Sequence, residues 1–327
     1  MASGHPRAAA ADQAGRTLSQ ARLEAQRIAV ETIRARGDVY KRRGRTRNSV
    51  MLPKPKRESA VTLPMSDIEF WDLGNNRGIV RMRNGGLVFV DTRDQSLASP
   101  IRSSGEWEPQ VARVLLRFLR PGATVVEVGS NIGCHTLTMA LAIGRSGSML
   151  AIEANPDVAE LLQCTVAINS LRQVRLVNAA VMDRPGETTI FATETNLGGG
   201  AVGLPGWESD PGLSQHKRHV VQAVTLDSLT ADLAGVDLIR MDVEGCELAV
   251  LAGAQQLLSR SPRVKIVCEW GAYHAPSYFG MAEGLDALMA RGFRFWRIEP
   301  DGALTPQSRA QMLERQFCEV VIAAELD

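Results

Sequence analysis

From Thr124 onward, short apolar runs alternate with helical stretches, and this alternation constrains the fold more than any other feature of the chain. Thr124–Val128, Ser148–Glu153 and Val174–Asn178 read as buried strands, with helices predicted over 131–143 and 156–169. Two further steps follow: a strand over 236–241 with a helix over 247–258, then a strand over 264–269 with a helix over 281–291. Residues 293–298 and 317–323 are expected to form a terminal antiparallel pair. Strands that alternate with helices imply an α/β fold, a mostly parallel sheet covered on both faces. Upstream, Asn84-Gly85-Gly86 between two apolar runs signals a hairpin over 79–91, and a helix over 106–119 is stopped by Arg120-Pro121-Gly122. Residues 183–224 show less regularity.

The chemistry sits where strands end. The first strand runs into Glu127-Val128-Gly129-Ser130-Asn131-Ile132-Gly133, a turn whose glycines let the backbone approach a ligand or a neighbouring helix closely. In open α/β sheets ligands bind outside the carboxyl ends of strands. The second strand ends in Glu153, 24 residues after Gly129 and near the spacing at which an acid reaches ribose hydroxyls. Turn and acid together point to an adenosine-containing ligand. A nicotinamide site normally shows GxGxxG, which admits a pyrophosphate at a helix N-terminus, and here Asn131 replaces the second glycine. S-adenosylmethionine carries no phosphate, so the pattern favours it over NAD. The fourth strand ends in Asp242-Val243-Glu244-Gly245-Cys246-Glu247. Glu247 suits a first helical turn, where the dipole favours an acid. Asp242 and Glu244 are expected to project into the crevice.

Charge is divided along the chain. Residues 1–57 carry 14 Lys/Arg against 4 Asp/Glu, whereas 58–327 carry 23 against 32. This predicts a basic, partly helical or disordered arm over 1–60, a hairpin and helix over 61–120, and a catalytic domain over 121–327. The arm is either a solvated linker or a device that docks on an anionic surface or partner, or that self-associates. No run of 18 apolar residues and no secretory segment is evident, and the five cysteines show no CxxC spacing. A cytoplasmic location is expected.

Several blocks, in order, resemble the FkbM family of S-adenosylmethionine-dependent methyltransferases. They are Gly105-Glu106-Trp107-Glu108-Pro109, Glu127 to Gly133, Ile152-Glu153-Ala154-Asn155-Pro156, Asn178-Ala179-Ala180-Val181, Thr225-Leu226-Asp227-Ser228-Leu229, and Asp237 to Glu247 followed by Val250-Leu251-Ala252-Gly253-Ala254. The likeness spans about residues 87–325, and Cys246 stands where the family more often has a small residue. It implies a Rossmann-like seven-stranded sheet of order 3-2-1-4-5-7-6 with the last strand antiparallel; the N-terminal hairpin and helix extend it, and residues 1–60 have no counterpart in the family pattern. It also implies methylation of a hydroxyl on a sugar, glycolipid or secondary metabolite. Carried onto this chain, the cofactor-binding set is Glu108, Glu127, Gly129, Ser130, Asn131, Gly133, Glu153, Ala154, Asn178 and Asp242.

A hydroxyl is a poor nucleophile until its proton is removed, so a general base is expected. The candidates are Asp242, Glu244, Glu269 and His135, with His274 on the loop after strand five. Asp242, Glu244 and Glu269 together offer the hard oxygens Mg²⁺ takes, a reading not favoured over a metal-free site. The rivals are an NAD-binding oxidoreductase and a non-catalytic nucleotide-binding or interaction module on the same fold.

Overall fold

The structure is a computed structural model that describes residues 68–193, 195–202, 216–271, 280–314 and 317–327. The basic arm, His274 and the aromatic residues beside it lie outside the described residues. The central sheet is built from β4 (Thr124–Val128), β5 (Ser148–Glu153), β6 (Val174–Asn178), β11 (Leu238–Met241), β12 (Lys265–Trp270), β13 (Arg294–Ile298), β14 (Leu304–Gln307) and β15 (Cys318–Ala323). Their spatial order is β14-β13-β15-β12-β11-β4-β5-β6. With β4 counted as the first strand, this is the 3-2-1-4-5-7-6 order, extended by β14 at one edge. β15 runs antiparallel to both neighbours, β12 and β13.

Alternation along the strands divides the core in two. Val125, Leu238 and Val267 pack on one face with Leu115 and Leu137 from the helices Pro109–Phe118 and Cys134–Ile143. Val126, Ile239 and Ile266 pack on the other with Leu251, Leu257 and Leu285. Each such fully buried aliphatic side chain contributes about 2 kcal/mol.

The N-terminal hairpin is part of a three-stranded antiparallel sheet: β1 (Phe70–Gly74), β2 (Arg77–Arg81) and β3 (Leu87–Asp91). β3 lies against helix Pro156–Ile168, where its edge amides find side-chain acceptors. Leu87 N donates to Asn169 Oδ1 at 2.9 Å and Phe89 N to Thr165 Oγ1 at 3.1 Å. These bonds satisfy a sheet edge that is otherwise unpaired.

Three expectations are corrected. The first helix begins at Cys134 rather than 131, because Asn131 (φ 50°) and Gly133 (φ 96°) are left-handed. The single helix over 247–258 is two, Glu247–Ala252 and Gln255–Arg260. Its break at Gly253 lets the chain pass Met182, whose carbonyl oxygen would lie 2.2 Å from a Cβ there. Asp227 then accepts Gln256 N and Leu257 N at 3.0 and 2.8 Å and caps the second piece. The stretch read as irregular holds three strands of a second, four-stranded sheet. In it β8 (Gly186–Ala192) pairs antiparallel with β10 (Lys217–Val224), beside β7 (Ala180–Val181) and β9 (Ala201–Val202).

Candidate active site

An open cleft lies at the carboxyl tips of β4, β5 and β11. Val128, Gly129 and Asn131 line it from the end of β4 and its turn, Glu153 and Ala154 from the end of β5, and Asp242, Val243, Glu244 and Cys246 from the chain after β11. Gly198 and Gly200 come from the loop after β8. Among the described lining residues no Lys or Arg occurs.

Gly129 is left-handed at φ 76°, and a Cβ there would lie 1.9 Å from the carbonyl oxygen of Asp242. The glycine is therefore required by the close approach of two strand ends. Gly133 serves helix packing, since its Cβ would meet Leu162 at 2.8 Å. It does not line the cleft, and neither does Ser130, which is buried against the Glu127 carbonyl.

Glu153 is pinned by two amides: Asn131 N donates to Oε2 and Asn155 N to Oε1, both at 2.8 Å. Each oxygen keeps an acceptor site. Burial raises its pKa to about 6 against the pull of those amides. Asn178 is exposed and stands outside the cleft lining. Its Nδ2 donates to the carbonyls of Glu153 and Ala154 at 2.8 and 3.0 Å, so it holds the turn that presents Glu153.

Arg240 organises the opposite side. In the parallel ladder it stands level with Glu127 on β4. Only 5 % exposed, it donates from Nη1 to the Gly129 carbonyl at 2.8 Å and from Nη2 to Asp242 Oδ2 at 3.0 Å. Glu108 lies 3.7 Å away and Glu127 4.0 Å. Glu127 is fully buried beneath the cleft, bonded to Thr136 Oγ1, and burial lifts its pKa to about 7. His135 is also buried, and its Nε2 lies 2.9 Å from Glu108 Oε2. Burial lowers its pKa, so a neutral ring donates Nε2–H to Glu108. His135 is absent from the cleft lining, and this arrangement suits a residue that holds Glu108.

Two residues further along the same face comes a row of acids. Asp242 follows Met241, which is level with Cys268, so Asp242 and Glu269 are neighbours; Glu269 in turn faces Glu319 across the antiparallel ladder. Burial, then the surrounding carboxylates, raises the pKa of both Glu269 and Glu319. Glu244, left-handed at φ 52°, is raised to about 7, first by burial and then by Asp242 and Glu247. Asp242, Glu244 and Glu269 each present an oxygen within 4.8 Å of the other two. Glu247 turns away and accepts Val243 N at 3.3 Å and Gly245 N at 3.4 Å, the local bonding of an acid at a helix start.

Arg240 and Glu319 escaped the sequence reading. The signal for Arg240 was period two, which puts it on the face of Asp242. That for Glu319 was the antiparallel last strand, which sets it opposite Glu269.

A parallel sheet in this strand order, with an antiparallel seventh strand and a glycine turn and acids at its carboxyl tips, is the Rossmann-like fold of methyltransferases. The methyltransferase FkbM domain profile matches residues 127–295, and the chain belongs to this family. It is 24% identical over 196 residues to the 2-O-methyltransferase NoeI of Sinorhizobium fredii, covering 55% of this chain and 77% of that protein. Among solved structures it is similar to a SAM-dependent methyltransferase from Aquifex aeolicus, with 15% identity and a TM-score of 0.36 over 65% of this chain and 88% of that one. It is also similar to a SAM-dependent O-methyltransferase from Thermotoga maritima, with 14% identity and a TM-score of 0.36 over 76% and 77%. Among the described residues no helix is long and apolar enough to cross a membrane.

Proposed function

We propose that this chain transfers a methyl group from S-adenosylmethionine to a hydroxyl of a sugar, glycolipid or secondary metabolite. The observation that carries the cofactor assignment is the charge of the cleft: Glu153, Asp242 and Glu244 line it with no lysine or arginine among the described residues. A pyrophosphate would meet carboxylates without a cation, whereas a sulfonium meets the charge it needs. S-adenosylmethionine supplies a methyl group on a positively charged sulfur. Family membership supports methyl transfer, and the likeness to a 2-O-methyltransferase supports a hydroxyl acceptor.

In this reading Glu153 holds the ribose hydroxyls and Asn131 shapes the turn beneath the cofactor. Asp242, oriented by Arg240, accepts the hydroxyl proton as the acceptor oxygen attacks. Glu269 is less suited to that task in the free protein, because its raised pKa keeps it protonated near neutrality. Glu244 and Glu269 take the acceptor side, and the assignment requires no Mg²⁺. Incubation with methyl-labelled S-adenosylmethionine and a panel of hydroxylated glycans tests it. The expected outcome is labelled methyl ether and an equal amount of S-adenosylhomocysteine; S-adenosylmethionine bound without turnover on any acceptor would support the non-catalytic alternative.

The raised carboxyl groups give this reading a pH signature. Glu153 and Glu244 are neutral well below their pKa values of about 6 and about 7 and ionise as pH rises through them. Their contribution to the free protein's stability is fully present below pH 4.5 and is lost as pH rises from there to about 6 for Glu153 and about 7 for Glu244. A bound cation reverses that loss. The affinity for S-adenosylmethionine relative to uncharged-sulfur S-adenosylhomocysteine should therefore rise at least about tenfold between pH 5 and pH 8. Calorimetric titration of both ligands across that range checks it, and a flat ratio contradicts the assignment.

A further inference from the structure

We infer that Asp94 is a positioning residue for the cofactor cleft, acting through the loop at 195–200; the inference rests on the cofactor reading above. Asp94 lies upstream of the family match, in the turn between β3 and the helix Ala98–Ser104, and is only 3 % exposed. Its carboxylate bridges two parts of the chain. Oδ1 accepts Leu97 N at 3.0 Å, closing the turn into that helix, and Oδ2 accepts Leu197 N at 3.0 Å. Beside it, Gln95 N donates to the Thr195 carbonyl at 3.2 Å. The Leu197 side chain is buried in the core cluster shared by the N-terminal sheet and the helical face of β4. Two hydrogen bonds and one apolar anchor thus tie the loop to the N-terminal unit.

The tethered loop reaches the cleft. Gly198 and Gly200 line it, and Gly198 sits so close to Asn131 that a Cβ would lie 2.4 Å from Asn131 Nδ2. Asn131 is the left-handed residue whose amide holds Glu153. The chain of contact is therefore Asp94, Leu197, Gly198, Asn131, Glu153. The loop is also internally braced: Asn196 N donates to Thr193 Oγ1 and Gly199 N to Asn196 Oδ1, both at 3.0 Å. A loop braced within itself moves as a unit when its tether is cut, so loss at Asp94 is transmitted to the cleft rather than absorbed locally. A carboxylate suits the post because it accepts on both sides at once. An asparagine there turns an NH₂ towards one of the two amides.

Asp94→Asn is tested by hydrogen exchange and by calorimetry with S-adenosylhomocysteine at a temperature where circular dichroism shows folded protein. Amides 195–200 should exchange roughly tenfold faster while those of β4 and β11 do not change, and the Kd should rise roughly tenfold. Leu197→Ala removes the apolar anchor instead and should give the same pattern. This second variant decides the matter if Asp94→Asn does not accumulate. An unchanged Kd in the folded variant, with or without faster exchange, overturns the assignment, because a purely structural carboxylate would lower the melting temperature alone. Wild-type protein that fails to bind the ligand contradicts the cofactor reading instead, and the exchange at 195–200 still decides whether Asp94 holds the loop.

Discussion

Asp242→Asn is expected to lower methyl turnover by about 10²–10⁴-fold, the range lost when a positioned proton acceptor is removed. The substitution is close to isosteric. An asparagine carbonyl can still accept from Arg240 Nη2, which holds Asp242 Oδ2 at 3.0 Å, so the strand end and the Gly129 turn keep their geometry. What disappears is the charge beside Glu244 and Glu269 and the ability to take a proton. Cofactor affinity should fall by no more than about tenfold, since Glu153 and Glu244 remain in the cleft. Turnover and binding must be measured together on the folded variant. Wild-type turnover in Asp242→Asn would remove Asp242 from catalysis and pass the role to another group at the strand tips.

Arg240→Met should destabilise the fold by about 3–5 kcal/mol near neutral pH, the scale on which one partner of a buried ionic cluster is lost. Methionine fills much of the volume, so the loss is mainly electrostatic. It strands Asp242 and the Gly129 carbonyl, which Arg240 now bonds, and leaves Glu127 and Glu108 without their nearby cation. Glu127 is the sharpest case, because its Oε1 is buried without a hydrogen bond even in the intact protein. With the guanidinium gone its carboxyl would be neutral over a wider pH range. The deficit relative to wild type should therefore shrink as pH falls from about 8 to about 5 and the acids take up protons. Urea unfolding at the two pH values measures this. A deficit under about 1 kcal/mol at pH 8 would mean that solvent, not Arg240, balances these carboxylates.

The sequence made the central sheet legible because its inner parallel strands are buried on both faces and each parallel strand, the half-buried edge strand β6 included, is bounded by a turn. β4, β5 and β6 have the bounds expected from their apolar runs. The small sheet was obscure for a physical reason: β10, Lys217-Arg218-His219-Val220-Val221-Gln222-Ala223-Val224, is half solvated and carries no apolar alternation. Its partner β8 lies across a long intervening segment, and such a pairing leaves no local trace. At the site, Asp242, Glu244 and Glu153 were visible as acids at the ends of apolar strands. Arg240 lay in plain view between Ile239 and Met241, but only the row it shares with Glu127 shows that it answers three carboxylates. Asp94 gave no signal at all, because its second partner, Leu197, is 103 residues away. His135 illustrates the converse. A histidine just after a glycine turn is a candidate base but more often a packed, hydrogen-bonded residue, and the fold buries it against Glu108.

The acidic cleft also gives a meaning to the charge division along the chain. The basic residues concentrate in 1–57, while the body that carries the cleft has an excess of acids. Within that body, Glu153, Asp242, Glu244, Glu269 and Glu319 gather at neighbouring strand ends. We propose that the arm serves docking or self-association, apart from the chemistry.

The central claim is that a cleft lined by carboxylates with no lysine or arginine among its described residues takes a cationic sulfonium cofactor rather than a pyrophosphate. Calorimetric titration of the full chain at pH 8 with S-adenosylmethionine, and separately with NAD, tests it most directly. The account predicts one-to-one binding of S-adenosylmethionine and no detectable heat from NAD. Binding of NAD with none of S-adenosylmethionine would contradict it.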